Sequence, residues 1–327
     1  MLSPISVFSQ GGRFGLSLFA SEIGLPYYNP RIMPELPEVE TVARGLRAVL
    51  PGARILDVRL GKTDFIDDPG ALERDLPGAQ IESVTRYGKF LVFGLQVPPG
   101  TDPGMSLLVH LGMTGQLTTR PSEAPVAPHT HVIFGLDNGR ELRYTDIRRF
   151  GRIRLVRGRE QATLLDDLGL DPLEARQTEF ATALRARSAH VKALLLDQHV
   201  LRGMGNIYTD ESLWRARIHP RRLGSNLSAA ELRRLYRAVQ HVLNDAIRSR
   251  GSSISDYVDS NGERGEFQRK HRVYQREAKK CFRCGAPIRR IIVAGRSSYF
   301  CPGCQPAPRI RRSSLETAPS KRRRRNG

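Results

Sequence analysis

The run CFRCGAPIRRIIVAGRSSYFCPGC, residues 281–304, contains every cysteine of this 327-residue chain. Its two Cys-x2-Cys pairs are sixteen residues apart, a spacing that lets two backbone knuckles deliver four thiolates to one tetrahedral zinc ion. Two disulfides are the alternative, but no convincing secretory signal precedes the run, which favours the metal. We therefore predict one structural Zn2+ bound by Cys281, Cys284, Cys301 and Cys304, with no coordination position left for chemistry.

The chain is strongly basic, with 52 Lys and Arg against 33 Asp and Glu and a formal net charge of +19. Residues 306–327 hold eight Lys or Arg and one Glu, which leaves +12 on the rest of the chain. Such a field attracts polyphosphates and makes their binding salt-dependent. Nucleic acid is the predicted partner. A membrane is not, because no apolar run approaches the roughly 18 residues that a membrane-spanning helix needs.

Residues 1–32 are rich in Ser, Gly and Pro, with one short, mostly apolar piece at 16–20. A signal peptide requires a longer apolar region and a clearer basic start. We expect residues 1–33 to be a disordered extension, or a product of misannotated initiation with the true start at Met33. The expected location is cytoplasmic and nucleoid-associated.

Helical spacing begins after residue 33. Pro37 suits the first turn of a helix, and Pro51-Gly52 ends it after four apolar residues on one face, Val39, Val42, Leu46 and Val49. Short strands are predicted next, at residues 81–84, 90–95, 107–111, 132–136, 141–144 and 153–156. Asp137-Asn138-Gly139 is a tight hairpin turn between two of them. Many short strands beside one helix predict a β-sandwich.

The chain from residue 166 has a helical pattern. Helices are predicted at 178–186, at 191–197 and from near Asn206. The capping box Ser228-Ala-Ala-Glu231 opens a further helix with one apolar stripe. The polar, Gly-containing stretch 255–270 is predicted to be a mobile loop, and residues 306–327 a disordered basic tail.

The run MPELPEVE, residues 33–40, carries a chemical possibility. If Met33 initiates and is removed, Pro34 becomes an N-terminal secondary amine with a pKa of about 8, against about 10.4 for lysine. Its unprotonated form can attack a sugar C1′ and form an iminium, the electron sink for eliminating the 3′ phosphate. Glu35 can shuttle protons beside it. The alternative is an ordinary helix start whose acidic residues favour the helix dipole.

This run resembles the N-terminal signature of bacterial formamidopyrimidine-DNA glycosylase, the 8-oxoguanine repair enzyme. The resemblance extends to HLGMTG at 110–115, YTDIRRFG at 144–151, GMGNIY at 203–208 with Glu211, and the four-cysteine run. These blocks occur in the family's order over residues 34 to about 305. The resemblance implies an α+β multidomain fold. It comprises an N-terminal catalytic β-sandwich with flanking helices (34–165), a helix-two-turn-helix domain (166–275) and a four-cysteine zinc finger (276–305).

The resemblance also implies roles for residues of this chain. Pro34 matches the Schiff-base nucleophile and Glu35 the acid/base carboxylate, with Glu38 a supporting carboxylate at best. Lys89 matches a strand lysine that contacts phosphate beside the lesion. Three further residues match contacts to DNA or to the lesion region: Lys192, Asn206 and the zinc-finger Arg296.

Met113, Arg148 and Phe150 match the trio that fills the space left when the damaged nucleotide is flipped out, offsetting a few kcal/mol of lost stacking. Singly, Met113 and Phe150 would also fit a core, Arg148 a solvated surface and Asn206 a helix cap. Their joint order favours the family roles. The segment 260–265 falls where the family has a flexible segment that closes over the damaged base.

Two departures affect this interpretation. Ile147 stands where the family usually has proline, which loosens a turn without removing a functional group. Residues 1–33 are more serious, because an amide nitrogen at Pro34 has no nucleophilic lone pair. The basic tail beyond the fourth cysteine is expected to add nonspecific DNA affinity.

The leading hypothesis is a monomeric base-excision repair enzyme acting on duplex DNA that contains oxidised bases or abasic sites. It would remove oxidised purines and cut by β,δ-elimination through a Schiff base on Pro34. The alternatives are an endonuclease VIII-like enzyme for oxidised pyrimidines, a noncatalytic lesion-binding protein if the extension is real, and a generic zinc-ribbon nucleic-acid binder. A hydrolase using zinc-activated water is disfavoured, because all four ligands are thiolates.

Overall fold

The computed structural model describes residues 33–97, 104–158, 160–254 and 256–308. The predicted extension up to residue 32 and the tail from residue 309 lie outside this range. Helix α1 (Leu36–Arg47) begins as predicted, with Pro37 in its first turn. It ends before Val49, which is 44% exposed, and Leu50 fills the core position instead. The prediction was therefore wrong to include Val49 in the apolar face of this helix.

Two four-stranded antiparallel sheets follow. The first has the spatial order β1 (Ile55–Leu60), β6 (Thr130–Leu136), β7 (Arg140–Asp146), β5 (Gly115–Pro121). The second has the order β2 (Gln80–Tyr87), β3 (Phe90–Gln96), β4 (Met105–His110), β8 (Arg152–Arg157). The predicted β-sandwich is confirmed, and all six predicted strands are present.

The turn between β6 and β7 is the predicted Asp137-Asn138-Gly139, where Gly139 has φ +74°. Two strands and the short helix α2 (Pro69–Asp75) were not predicted. Strand β1 does carry an alternating pattern, with Val58 and Leu60 packed against the core between exposed polar residues, whereas β5 contains Gln and two Thr and has only a weak apolar signal.

The two sheets enclose one apolar core, and α1 packs against it through Val39, Val42 and Leu46. Leu36, at the start of the same helix, belongs to the core of the helical domain instead. Its backbone N–H donates to the Gly203 carbonyl at 2.9 Å. Helix α1 therefore joins the sandwich to the helical domain at its first turn.

Helix α3 (Glu160–Leu165) packs on the second sheet, where Leu165 shares an apolar cluster with Val92, Leu108 and Val156. The helical domain contains α4 (Gln177–Arg185), α5 (Val191–Leu196), α6 (Asn206–Ala216) and α7 (Ala229–Arg248). The capping box is confirmed: Ser228 Oγ accepts from the Glu231 N–H at 3.2 Å, and the Glu231 carboxylate accepts from the Ser228 N–H at 2.8 Å. Helices α5 and α6 flank the turns at 197–205 in the predicted helix-two-turn-helix arrangement.

The described residues of segment 255–270 are anchored, contrary to the prediction of a mobile loop. Tyr257 and Phe267 are buried, and the latter opens a short 3-10 helix, Phe267–Lys270. The Ser260 carbonyl accepts from the Thr119 N–H at 3.0 Å, which attaches the segment to the sandwich. Two aromatic anchors within a polar run explain the difference.

A two-stranded hairpin of β9 (Arg289–Val293) and β10 (Arg296–Phe300) lies between the two cysteine pairs. Its turn residues Ala294 and Gly295 both have positive φ, 50° and 69°, as a tight two-residue hairpin requires. None of the described helices is both long and apolar enough to cross a bilayer.

Candidate functional site

Glu35 lies at the junction of α1 with α6. Its carboxylate accepts the Ile207 N–H at 3.0 Å and the Tyr208 N–H at 3.3 Å, both in the first turn of α6. A helix N-terminus stabilises negative charge, because its first N–H groups have no intrahelical acceptor. Gly205 permits the approach, since a Cβ there would lie 2.2 Å from the Glu35 carboxyl carbon. Gly205 of the GMGNIY motif is therefore required for this contact, because a side chain at this position would overlap Glu35.

Burial dominates the electrostatics of Glu35, which is 5% exposed. Desolvation raises the pKa of its carboxyl, and the charge of Lys89 is the largest opposing influence. Lys89 lies in the turn between β2 and β3 rather than in a strand, and it is half-buried. Its charge acts on the carboxyl that the resemblance assigns to acid/base chemistry, while direct contact of Lys89 with phosphate remains a prediction.

Pro34 is buried and directly precedes Glu35. In the chain as given, Pro34 is joined to Met33 by a peptide bond, so its nitrogen lacks the free lone pair of an amine. The structure brings Pro34 and Glu35 to one junction by their adjacency in the chain. The nucleophilic role of Pro34 depends on a free N-terminus at this residue.

Glu38 is more central than the sequence indicated. It is 2% exposed and accepts from the Tyr208 hydroxyl, from the Ser252 N–H at 2.7 Å and from the Glu35 N–H at 2.9 Å. Burial, with the nearby charge of Glu35, raises the pKa of Glu38 to about 7, against the effect of these donors. Glu38 thus links α1 to α6 and to the segment that follows α7.

Lys192 is fully buried, which the sequence did not indicate, and its predicted place near the lesion stays a prediction. Its Nζ donates to Asp210 Oδ1 at 2.7 Å and to the Ser297 carbonyl at 2.8 Å, so the ammonium lies among protein groups. Asp210 Oδ2 accepts the Tyr299 N–H at 2.8 Å. This ion pair attaches the β10 strand to α5 and α6, and it positions the hairpin.

Sequence reasoning missed Asp210 and treated Glu211 only as part of a motif. Burial raises the pKa of Asp210 to about 6 and that of Glu211 to about 7. Glu211 accepts the N–H groups of Arg272, Val273 and Tyr274 at 2.9–3.0 Å, which fixes the chain leading into the cysteine module. Two adjacent acidic residues in a helix whose other residues are largely apolar were the available signal.

Asn206 is the first residue of α6 and is half-buried. Its Oδ1 is buried without a hydrogen-bond partner among the described residues. The predicted start of a helix near Asn206 is confirmed, and Asn206 directly precedes the residues whose N–H groups hold Glu35. Its contact with phosphate remains a prediction.

The loop at 146–151 exposes two of the three residues predicted to fill the space of the flipped nucleotide, Arg148 and Phe150. Asp146 is fully buried and accepts from the Tyr144 hydroxyl at 3.0 Å, the Gly151 N–H at 2.9 Å and the Arg148 N–H at 3.2 Å. These bonds hold Phe150 at 39% exposure, with the Arg148 guanidinium carbon 4.8 Å from its ring centre.

Met113 is only 7% exposed, and its predicted role in filling the space of the flipped nucleotide stays a prediction. The reason for its burial lies in the packing of its loop: a Cβ on neighbouring Gly112, which has φ +62°, would lie 2.4 Å from the Phe150 backbone. The 110–115 loop is therefore pressed against the 146–151 loop, and Phe150 is the exposed member.

The four cysteine sulfurs lie within 4.8 Å of one another and form no disulfide. Four sulfurs bound to zinc at about 2.3 Å are separated by about 3.8 Å, so the cluster fits the metal. Cys281 Sγ accepts from Trp214 Nε1 at 3.5 Å and from the Arg283 N–H at 3.4 Å, donors that suit a metal-bound thiolate. The predicted Arg296 is the first residue of β10 in this module.

Comparison with known proteins gives one result across the chain. Family models match for the formamidopyrimidine-DNA glycosylase N-terminal domain at 33–153, its H2TH domain at 168–258, and the zinc finger found in FPG and IleRS at 278–307. The formamidopyrimidine-DNA glycosylase of Pelotomaculum thermopropionicum is 46% identical over 279 residues, covering 84% of this chain and 99% of that protein. That of Solibacter usitatus is 45% identical over 275 residues, with the same shares covered.

Solved structures agree. Lactococcus lactis Fpg in complex with an abasic site containing DNA matches with TM-score 0.75 and 33% identity, over 84% of this chain and 100% of that chain. The same Fpg with an oxidized pyrimidine containing DNA matches with TM-score 0.74 and 33% identity, over the same shares. The MutM (Fpg) protein of Thermus thermophilus matches with TM-score 0.71 and 41% identity, over 83% of this chain and 98% of that chain.

Proposed function

This chain belongs to the formamidopyrimidine-DNA glycosylase family of base-excision repair enzymes, and from that premise we propose that it excises oxidised purines and then cleaves the abasic site through Pro34. The purines are 8-oxoguanine and formamidopyrimidines, and the cleavage is a β,δ-elimination. The observation that carries the proposal is the Glu35 carboxyl, buried beside Pro34 and held by two N–H groups of α6.

The proposed chemistry divides between these two neighbours. The amine of an N-terminal Pro34 attacks C1′ and the damaged base departs, taking up a proton as it leaves. The raised pKa of Glu35 supports its role as the proton donor, since a buried carboxyl keeps a larger protonated fraction near neutral pH. The C1′–O4′ bond then breaks, with a proton delivered to O4′, and the opened sugar carries an iminium between C1′ and the Pro34 nitrogen. This iminium permits loss of the C2′ proton with departure of the 3′ phosphate. A second elimination releases the 5′ phosphate, and hydrolysis then frees Pro34.

The proposal requires an active form that begins at Pro34. Two observations support it: the N-terminal family model matches from residue 33, and the curated relatives match over 99% of their own length within 84% of this chain. Removal of an initiator methionine before a small residue such as proline would expose the amine. With residues 1–33 attached, the nitrogen is an amide, and we expect lesion binding without covalent chemistry.

DNA contacts are proposed for residues on three elements. Arg148 and Phe150 would occupy the space of the flipped nucleotide and face the orphan base. Asn206 and Arg296 would hold phosphates on either side, and Lys89 a phosphate near Glu35. A single Zn2+ bound by the four cysteines would fix the finger that carries Arg296 without entering the reaction. One chain carries all of these groups, which supports action as a monomer.

Borohydride trapping tests the nucleophile. Natively produced protein is incubated with a duplex carrying one 8-oxoguanine opposite cytosine, reduced, and digested, and the adducted peptide is identified by mass. We expect a cross-link on a peptide that begins at Pro34. The matched control is the full 327-residue chain with its extension retained, which should bind the duplex and give no adduct.

Either of two results would overturn the mechanism: an adduct on a lysine, or an adduct formed by the full chain without processing. A second duplex carrying thymine glycol is tested in parallel, because one solved relative was captured with an oxidised pyrimidine in DNA. Preferential release of the pyrimidine would favour the endonuclease VIII-like alternative.

A further inference from the structure

Phe282, between the first two cysteines, is the most exposed large apolar side chain among the described residues, at 59%. Two guanidinium groups lie against its ring, with the carbon of Arg276 4.0 Å and that of Arg272 4.9 Å from the ring centre. We call these three residues the knuckle platform. The proposed lesion contacts lie elsewhere, on the sandwich loops, α6 and the β9–β10 hairpin.

The surroundings of the knuckle platform are basic. The segment 270–285 contains six Lys or Arg and a single Glu. Lys279, Lys280 and Arg283 are all exposed. Arg283 also stacks on Trp214 at 4.1 Å, so a second arginine–aromatic pair lies beside the first. An anionic partner is favoured by this charge, and a partner with planar groups by the exposed ring.

The backbone that presents Phe282 is fixed on both sides. Glu211 holds the N–H groups of residues 272–274, and Cys281 receives hydrogen bonds from Trp214 and from the Arg283 N–H. An exposed phenylalanine on a rigid support costs little conformational entropy when it binds a ligand. A residue whose only task was to fill the core would be buried, as Ile288 is in the same module.

Among the described residues, the same pairing of an arginine with an exposed phenylalanine is found at Phe150, whose ring centre lies 4.8 Å from the guanidinium carbon of Arg148. That pair is proposed to meet bases displaced from the stack. An exposed aromatic ring flanked by arginines is the combination that single-stranded nucleic acid uses, because every base has a face that can stack and every nucleotide carries a phosphate.

We propose that the knuckle platform binds an unpaired stretch of DNA adjoining the duplex, with a base stacked on Phe282 and phosphates held by the surrounding Lys and Arg side chains. It adds a second DNA contact, sensitive to unpaired structure, to an enzyme whose proposed site acts on the duplex. Gapped, frayed or tailed substrates are then held more tightly than fully paired ones.

The test compares a blunt duplex containing a stable abasic-site analogue with the same duplex carrying a ten-nucleotide thymidine overhang, attached in turn to each of the four strand ends. Fluorescence anisotropy gives Kd for each substrate. With wild-type protein we expect at least about fivefold tighter binding for one overhang position, the effect of stacking about one base. Phe282→Ala should abolish that gain and leave binding to the blunt duplex unchanged.

Ile292→Ala is the matched control, since Ile292 is similarly exposed on the same module, at 55%, but has no aromatic ring on which a base could stack. It should keep the overhang gain, and zinc content should equal that of wild type in both variants. Arg276→Gln should reduce the gain in part. The proposal is overturned if no overhang tightens binding, or if both alanine variants lose the gain equally.

A competition experiment distinguishes unpaired DNA from an acidic protein as the partner of the knuckle platform. Labelled overhang substrate is displaced with an unlabelled thymidine oligonucleotide or with a poly-glutamate peptide of equal charge. Displacement of the Phe282-dependent component by the oligonucleotide alone supports DNA, whereas preferential displacement by the peptide would assign the knuckle platform to an acidic protein and overturn the proposal. Blunt-duplex cleavage by Phe282→Ala is measured in parallel, so failure here is distinct from failure of the proposed glycosylase chemistry.

Discussion

The α1–α6 junction and the exposed surface that carries Phe150 and Phe282 use charged groups in opposite ways. The junction buries four carboxyl groups at 5% exposure or less, each held by backbone N–H groups, a hydroxyl or a buried lysine: Glu35, Glu38, Asp210 and Glu211. Burial raises the pKa of all four. The surface instead exposes Phe150 and Phe282 with arginines against their rings.

The two regions should therefore respond differently to the loss of a single contact. A buried carboxyl tolerates loss of its partner poorly, because the group left behind has no water to replace it. An exposed ring or guanidinium loses only its own contact, so each surface change has a small and separable effect. Mutations at the junction should therefore act on chemistry and folding, and mutations at the surface mainly on affinity.

The largest effect is expected for Glu35→Gln. Gln keeps the shape and one acceptor but cannot deliver a proton, so base excision should fall about 10²- to 10⁴-fold. Single-turnover release of 8-oxoguanine measures it. Binding to an abasic-site analogue should change less than threefold, since the Glu35 carboxyl is buried against the N–H groups of α6. Unchanged excision would remove Glu35 from the mechanism.

Asp210→Asn tests the buried ion pair. Lys192 would keep its charge in a fully buried site without a counter-ion, so we expect unfolding to become easier by about 3–5 kcal/mol. Arg296 should also lose its position, because β10 is held by Asp210 and Lys192. Urea denaturation and duplex Kd measure the two effects.

The control for this variant is Asp245→Asn, which breaks a half-exposed pair with Lys270 and should change stability by about 1 kcal/mol or less. The double variant Lys192→Met with Asp210→Leu removes both charges and should recover much of the lost stability. Equal losses for Asp210→Asn and Asp245→Asn would contradict the contrast between buried and exposed groups.

Sequence patterns predicted the sandwich, the capping box and the order of the motifs because these depend on local periodicity and turn residues. They also identified Glu35, whose role is attached to a contiguous signature. They did not indicate the burial of Lys192, because that burial depends on a partner eighteen residues away on another helix and on a strand more than a hundred residues away.

The burial of Met113 was not anticipated, and the prediction of a mobile loop at 255–270 was wrong, for a related reason. The exposure of Met113 is set by the packing of two loops that meet only after β4, β5, β7 and β8 have assembled. The segment looked polar and mobile, yet Tyr257 and Phe267 anchor it in cores contributed by distant residues. Contacts between elements far apart in sequence carry no local signature.

The pH dependence of stability follows from Glu38. Its pKa is about 7 in the folded protein against 4.5 when solvated, so the folded state keeps a proton that the unfolded chain loses between these values. The free energy of unfolding therefore falls as pH rises from about 4.5 to 7, by up to about 3 kcal/mol for this group. Asp210 and Glu211 contribute with the same sign, because burial raises their pKa values too.

Glu38→Gln should flatten this dependence in part, which urea denaturation at pH 5, 6 and 7 would show. Glu231→Gln is the control of opposite sign: although burial opposes it, hydrogen bonds from Ser228 and Arg222 lower the pKa of Glu231, so its contribution is lost as pH falls. A wild-type slope in Glu38→Gln would mean that Glu38 is ionised throughout this range.

The smallest effect is expected at the surface, where Phe150→Ala removes a 39% exposed ring from the 146–151 loop. Losing one stacking contact should weaken binding to an abasic-site duplex by about tenfold, with stability changed by less than about 0.5 kcal/mol. Ile147→Ala, in the same loop and 55% exposed, is the matched control and should leave Kd within twofold. Fluorescence anisotropy with lesion and undamaged duplexes distinguishes a lesion-specific wedge from a general DNA contact. A wedge contributes only where a nucleotide has left the stack. If Phe150→Ala weakened binding to both duplexes equally, Phe150 would be a general DNA contact. The contrast between a buried junction that acts on chemistry and a surface that recognises the lesion would then not hold for the surface.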